Sequence, residues 1–358
     1  MKRLIKPKAL NIGDTVATIS LSWGGAAVFR KRYEQGVHQF KEAFGVNVIE
    51  TSHSLASEND IYEHPEWRLA DLMEAFENPE IKAILCNVGG DDTIRLLRHM
   101  NDKHFQTIHD NPKIFLGMSD TTINHLMCYK AGLESFYSPC TMFGYAENGG
   151  IPKFIIESTK KTLFSTAPIG TLPESDEYII DKVEWGKEHI MRPRTKSTGW
   201  RYIQGSQTVQ GKLLGGCFDS LMECVNGTSL FPAVTDFDDT ILFLENSEDN
   251  PSPDLTTCFL RTLGAMGILE RINGILFARP GGEFLPEEQK EKTNWQSQYA
   301  EFDEAFLMVC KEYERQDLPI VTNMDFGHTV PQLILPYGIT AEINPNLKTV
   351  SILEAAVS

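Results

Sequence analysis

One stretch constrains this chain more than any other: Lys113-Ile114-Phe115-Leu116-Gly117-Met118-Ser119-Asp120-Thr121-Thr122. Three apolar residues run into Gly117, a serine follows two positions later, and residues 123–131 carry the pattern of a helix. Apolar strand, tight turn with a serine, then helix is the layout of a nucleophile elbow. Such a turn lifts a hydroxyl above a sheet edge, where the helix N-terminus supplies N–H groups and a positive dipole end. Thr121 stands where Gly-x-Ser-x-Gly needs its second glycine, so the motif is incomplete. Ser119 or Asp120 acting as an ordinary N-cap accounts for the same residues.

The alternation extends to both sides. Residues 14–22 form a β-rich run ending at Gly24-Gly25, and Phe29, Tyr33, Val37 and Phe40 then recur at helical spacing up to Gly45. Residues 46–50 read as a strand and 66–76 as a helix closed by Asn78-Pro79. The strand 83–88 runs into Gly89-Gly90-Asp91-Asp92, and Ile94, Leu96, Leu97 and Met100 predict a further helix. Strands alternating with helices imply a parallel sheet covered on both faces. Ligands gather at the C-terminal ends of such strands, where Gly89-Gly90 and Gly117-Met118-Ser119 both fall.

Between about 166 and 211 the pattern breaks down around Pro168, Pro173, Pro193, Trp185 and Trp200, which reads as a linker or lid. Strands at 240–245, 274–278, 319–322 and 349–353 then alternate with helices at 255–269 and 302–313. The expected division is 1–167 for an N-terminal domain, 168–210 for the linker or lid, and 211–358 for a C-terminal domain. A length of 358 residues suits two domains.

Charge and cysteines exclude several functions. With 33 Lys and Arg against 49 Asp and Glu, the net charge of −16 should repel nucleic-acid polymers and anionic membranes. Seven scattered cysteines without a Cys-x-x-Cys read as reduced, mostly buried thiols of a cytoplasmic protein. Lys2 and Arg3 precede no long apolar region, which argues against a signal peptide, and no stretch approaches a membrane span. No His-x-x-x-His or Cys/His cluster is present, so neither a metal nor a cofactor is expected.

Two further residues close apolar strands. Glu245 ends Leu242-Phe243-Leu244-Glu245, and His328 follows Phe326-Gly327. Singly, each suits a solvated strand end or a loop. Together with Ser119 they give one strand edge a serine, a base and a carboxylate able to orient that base, which acyl transfer needs. Gly89-Gly90 lies at the same edge, where backbone donors for an oxyanion could sit.

These residues carry a resemblance. The chain resembles the serine peptidases comprising bacterial LD-carboxypeptidases and the microcin C self-immunity proteins, over about residues 8–354. The matching elements are Gly89-Gly90-Asp91-Asp92-Thr93-Ile94-Arg95-Leu96-Leu97, Gly117-Met118-Ser119-Asp120-Thr121-Thr122, Leu214-Gly215-Gly216, Leu242-Phe243-Leu244-Glu245 and Phe326-Gly327-His328, in the family's order. The resemblance implies an N-terminal Rossmann-like parallel-sheet domain, a smaller C-terminal α/β domain and an active site between them. It implies Ser119 as nucleophile, His328 as general base, Glu245 as the orienting carboxylate, the amides of Gly90 and Asp120 as oxyanion donors, and a homodimer.

The family has two branches. One removes D-alanine from murein tetrapeptides; the other cuts the bond joining an amino acid to a nucleotide-like group. Chain length, the Gly-Gly-Asp-Asp wording and the 168–210 segment look more like the second branch, with Gly89 and Trp185 against the substrate. An indole there could stack on a purine, an interaction worth about 1–3 kcal/mol, or simply pack beneath the linker. Asn246-Ser247-Glu248-Asp249 is an acidic departure, poorly suited to a phosphate. The expected function is that of a serine carboxypeptidase-like hydrolase of aminoacyl or peptidyl nucleotide analogues, working through an acyl-enzyme. The alternatives are an LD-carboxypeptidase acting on murein peptides and a non-catalytic α/β protein binding a small molecule in the same cleft.

Overall fold

The computed structural model describes residues 3–180, 185–247, 251–281 and 295–358. Its N-terminal sheet contains β1 (Thr15–Ile19), β2 (Asn47–Glu50), β3 (Ile81–Cys86), β4 (Ile114–Gly117) and β5 (Phe136–Tyr137). They lie side by side as β2-β1-β3-β4-β5, all parallel, with the later strand Leu335–Pro336 added antiparallel to β5. Strand order reverses between β1 and β3, and the loops leaving their C-terminal ends flank a crevice suited to a ligand. The residues of β3 and β4 are buried on both faces except Lys82, as expected for apolar runs covered by helices.

The covering helices begin and end on local signals. Arg30–Phe44 stops at Gly45, whose φ of +65° is the left-handed C-cap that the sequence predicts. Pro65–Glu77 starts with proline in its first turn, and Asp102–Asp110 starts with a capping box between Asn101 and His104. That last helix was not expected from the sequence. The helix expected around Ile94–Met100 is instead a 3₁₀ turn, Thr93–Arg98. Its start is tied down by side chains: the Thr93 N–H donates to Asp120, and Asp92 accepts from Arg68 and Arg95.

The second sheet has four parallel strands at its centre: Val209–Cys217, Thr240–Glu245, Gly274–Ala278 and Ile320–Met324. Antiparallel strands extend it on both sides. The 168–210 segment, expected as a linker or lid, contributes short strands. Gly170–Thr171 forms one edge of this sheet and Arg201–Gln204 the other, while Glu177–Tyr178 and Thr195–Lys196 pair with each other. Strands of two to four residues are too short to show periodicity in the sequence. One large apolar core runs through both sheets, and a small second cluster gathers around Ala26, Tyr33 and Met142. All seven cysteines are unpaired and five are buried. Among the described residues no helix is long and apolar enough to cross a membrane.

His125 shows how far the interior is closed. It lies on the helix Thr122–Ala131, completely buried and stacked on Tyr337 at 4.9 Å. Its Nε2–H donates to the Gly117 carbonyl and its Nδ1 accepts from Ser135 Oγ, each at 2.9 Å. Burial lowers its pKa from 6.5 to about 4, with the Gly117 carbonyl opposing in part. A group whose folded pKa is depressed stabilises the fold above its unfolded pKa and loses that contribution as pH falls through the folded value. Between pH 6.5 and 4 this one residue should therefore remove roughly 3 kcal/mol. Urea midpoints of wild type and His125→Gln measured across that window should converge as the pH drops; parallel curves would contradict this account.

Candidate active site

Ser119 follows β4 in the left-handed region, with φ +62°, a conformation that is strained for a residue with a Cβ. Three contacts hold the turn. Ser119 N–H donates to the Tyr137 hydroxyl at 2.9 Å, Thr121 Oγ1 donates to the Met118 carbonyl at 2.6 Å, and the Thr121 N–H reaches the same carbonyl. Thr121, the departure from the elbow motif, thus closes the turn with its own hydroxyl. The helix Thr122–Ala131 begins immediately behind.

Glu245 and His328 meet at the C-terminal edge of the second sheet. Glu245 is wholly buried at the end of its strand, and its Oε2 accepts from His328 Nδ1 at 2.7 Å. Gly327 makes the approach possible. Its φ is +81°, and a Cβ there would lie 2.5 Å from Glu245 Oε2, so a side chain would displace the carboxylate. The other oxygen, Oε1, accepts the Tyr137 hydroxyl proton. Ser119 and His328 line one cavity of about 1240 Å³.

The Gly89-Gly90 turn forms a wall of that cavity. A Cβ on Gly89 would stand 2.9 Å from Ser119 Oγ and 3.3 Å from the Asp120 nitrogen. Gly90 has φ +143°, and a Cβ there would strike Ser22 Oγ at 2.4 Å. The backbone therefore approaches the serine as only glycine allows. The buried Asp120 carboxylate accepts from Ser22 Oγ at 2.6 Å and from the Thr93 N–H at 2.8 Å. Burial raises its pKa, with these two donors opposing.

Aromatic rings line the same cavity, beginning at Trp23, whose backbone N–H donates to the Gly89 carbonyl at 3.1 Å. Trp185 stacks on Trp23 at 5.9 Å and meets Phe29 edge-on at 5.5 Å, while Tyr62 carries the Arg95 guanidinium over its ring at 4.4 Å. The 185–192 stretch is anchored by buried groups: Arg192 pairs with Glu147, and Asn148 Nδ2 donates to the Lys187 carbonyl at 3.3 Å and to that of Ile190. Trp200 immediately precedes the edge strand Arg201–Gln204 of the second sheet and donates to Asp325 at 2.8 Å.

All seven sequence-predicted site residues thus lie at or beside one cavity. Glu248 and Asp249 of the acidic run fall outside the described residues. Among the described residues no group of three or more His, Cys, Asp or Glu could hold a metal ion. Trp23, Phe29, Tyr62 and Tyr137 were missed. Trp23 precedes Gly24-Gly25 beyond β1, so the strand-end rule applied to Gly89 would have found it. Tyr137 gives no such signal, because its carboxylate partner lies 108 residues away in sequence.

A carboxylate-held imidazole and a strained serine thus line one cavity. Residues 16–138 match the LD-carboxypeptidase N-terminal domain and residues 210–343 the LD-carboxypeptidase C-terminal domain. The microcin C7 self-immunity protein MccF of Escherichia coli is 26% identical over 361 residues, covering 98% of this chain and 96% of its own. A microcin C7 self-immunity protein structure in complex with aspartyl sulfamoyl adenosine shares the fold, with a TM-score of 0.83 at 24% identity over 99% and 100% of the chains. The probable murein peptide carboxypeptidase of Bacillus subtilis is 27% identical, covering 99% of this chain and 95% of its own. An MccF-like protein from Streptococcus pneumoniae, solved in complex with AMP, superposes with a TM-score of 0.81 at 30% identity over 95% of this chain and 98% of that one. With both domains matched in order and relatives aligned along almost the whole chain, the protein belongs to the LD-carboxypeptidase family that includes the MccF self-immunity proteins.

Proposed function

We propose that this protein is a serine hydrolase that cleaves the acyl or amide bond of aminoacyl or peptidyl nucleotide analogues through an acyl-enzyme. The observation that carries the reading is the buried Glu245–His328 pair opening into the cavity that Ser119 lines. In this reading Ser119 Oγ attacks the substrate carbonyl while His328 Nε2 takes the serine proton. Glu245 holds the imidazole by Nδ1–H and stabilises its positive charge. The tetrahedral intermediate collapses to an ester on Ser119, and the leaving group departs with the proton from His328. Water then gives a proton to His328 and attacks the ester, which frees the acid and returns the proton to Ser119.

The oxyanion needs donors that are not otherwise engaged. Ser119 N–H already donates to Tyr137, so the amides of Gly90 and Asp120 are the proposed donors. The close approach of Gly89 to both Ser119 Oγ and the Asp120 nitrogen supports that assignment. The aromatic wall of Trp23, Phe29 and Trp185 supports a leaving group with a flat face, and Trp185 is the residue proposed to stack on it.

Ser119→Ala should remove about 10⁴ to 10⁶ in turnover of aspartyl sulfamoyl adenosine while leaving the fold intact. A fluorophosphonate should label wild type at Ser119. A variant keeping more than a tenth of the rate, or an unlabelled wild type, would sink the nucleophile assignment and favour a binding protein. Because His328 and Glu245 act as one unit, the double alanine variant should be scarcely slower than His328→Ala alone, whereas multiplicative losses would separate them. Trp185→Ala should raise KM for the nucleotide substrate by about tenfold to a hundredfold, the size of one stacking contact, and change any murein tetrapeptide cleavage far less. If wild type cuts only the tetrapeptide, the murein carboxypeptidase reading replaces this one.

A further inference from the structure

We propose that Tyr137 is a positioning residue of this site, its hydroxyl tying the nucleophile's turn to the carboxylate that orients the base. The proposal rests on the roles assigned above to Ser119, His328 and Glu245. Tyr137 ends β5 and is 1% exposed. Its hydroxyl has one proton and two neighbours. A backbone N–H can only donate, so Tyr137 Oη accepts from Ser119 and must give its own proton to Glu245 Oε1. Glu245 Oε2 accepts the His328 Nδ1–H. With both oxygens occupied by hydrogen-bond partners, the carboxylate is held in one orientation. The imidazole proton then stays on Nδ1, and Nε2 keeps the lone pair that a base acting on Ser119 requires.

The three groups sit on separate parts of the chain. Tyr137 belongs to the first sheet, Glu245 to the second, and His328 to the loop beyond Ile320–Met324. Tyr137 is thus the point at which the strand edge carrying the serine touches the carboxylate of the other domain. Removing its hydroxyl frees the Ser119 turn and takes one donor from Glu245, which changes how strongly the carboxylate holds a protonated His328.

The surroundings make that change readable. Around the trio lie Cys217, Cys140, Tyr337 and His125. Burial raises both thiols and the Tyr337 phenol, Cys140 to about 11, and lowers His125 to about 4, so these four stay neutral from pH 5 to 9. Further out stand Asp120, Asp219 beside Cys217, and Arg192 over Phe143. They are the same in wild type and variant, so a difference between two pH profiles cancels them.

The test is a pH profile of kcat/KM for the purified full chain with aspartyl sulfamoyl adenosine, comparing wild type, Tyr137→Phe and Ser119→Ala. Tyr137→Phe should lower kcat about tenfold to a hundredfold, the worth of a hydrogen bond to a charged group, with KM little changed. Its acidic midpoint should move to higher pH, because a carboxylate without its tyrosine donor binds imidazolium more strongly. Wild type carrying 3-fluorotyrosine at position 137, a stronger donor, should move the midpoint the other way, and this holds even if Tyr137→Phe folds poorly. A rate loss with an unmoved midpoint in both proteins would leave Tyr137 a packing residue and overturn the proposal. So would wild-type rates and midpoints. An active Ser119→Ala would instead remove the underlying reading, whatever the tyrosine variants do.

Discussion

Everything around the site depends on burying one negative charge. The Glu245 carboxylate is completely buried, and taking an ion out of water costs several kcal/mol unless hydrogen bonds replace its hydration. Those bonds come from opposite directions: His328 from its own domain and Tyr137 from the other sheet. Neither domain alone satisfies both oxygens. Assembly of the site and packing of the two sheets are therefore one event, and further bonds at the seam act with it. Cys217 N–H donates to Thr122 Oγ1 at 2.9 Å, and Tyr337 Oη donates to the Gly215 carbonyl at 2.7 Å.

Two left-handed residues lie on the segments that present the serine and the histidine. Ser119 and Asn323 both adopt φ +62°, one in the turn that presents the hydroxyl and the other before the loop that carries His328. Conformations of this kind persist where surrounding structure over-determines them. At Asn323 that structure includes Arg279, which donates to Asn323 Oδ1 at 3.1 Å and pairs with the fully buried Asp325 at 2.9 Å. Asp325 also accepts from Trp200 and from the Ser175 N–H. The 168–210 segment thus does two jobs: its ends brace the histidine loop, and its middle brings Trp185 to the cavity wall.

Much of this was legible in the sequence because it is local. Buried parallel strands announce themselves as continuous apolar runs, left-handed helix stops as glycines, and ligand-facing turns as small residues just past strand ends. Gly45, Gly89-Gly90, Ser119 and Gly327 each follow from their neighbours in the chain. Where the sequence misled, a distant contact overrode a local pattern. Ile94, Leu96 and Leu97 have helical spacing, yet Asp120 and Arg68 hold the segment in a 3₁₀ turn.

The sequence by itself determined the α/β class, the family and the identities of a serine, a glutamate and a histidine at strand ends. Apolar period, turn chemistry and residue type are properties of short windows. Only the tertiary structure decided what those residues touch. That Tyr137 joins Ser119 to Glu245, that Trp23 and Phe29 receive Trp185, and that a supposed linker supplies both sheet edges all depend on pairs far apart in the chain. Such pairings are selected by shape and by the need to satisfy buried polar groups after the sheets have packed, and no window of sequence records that selection.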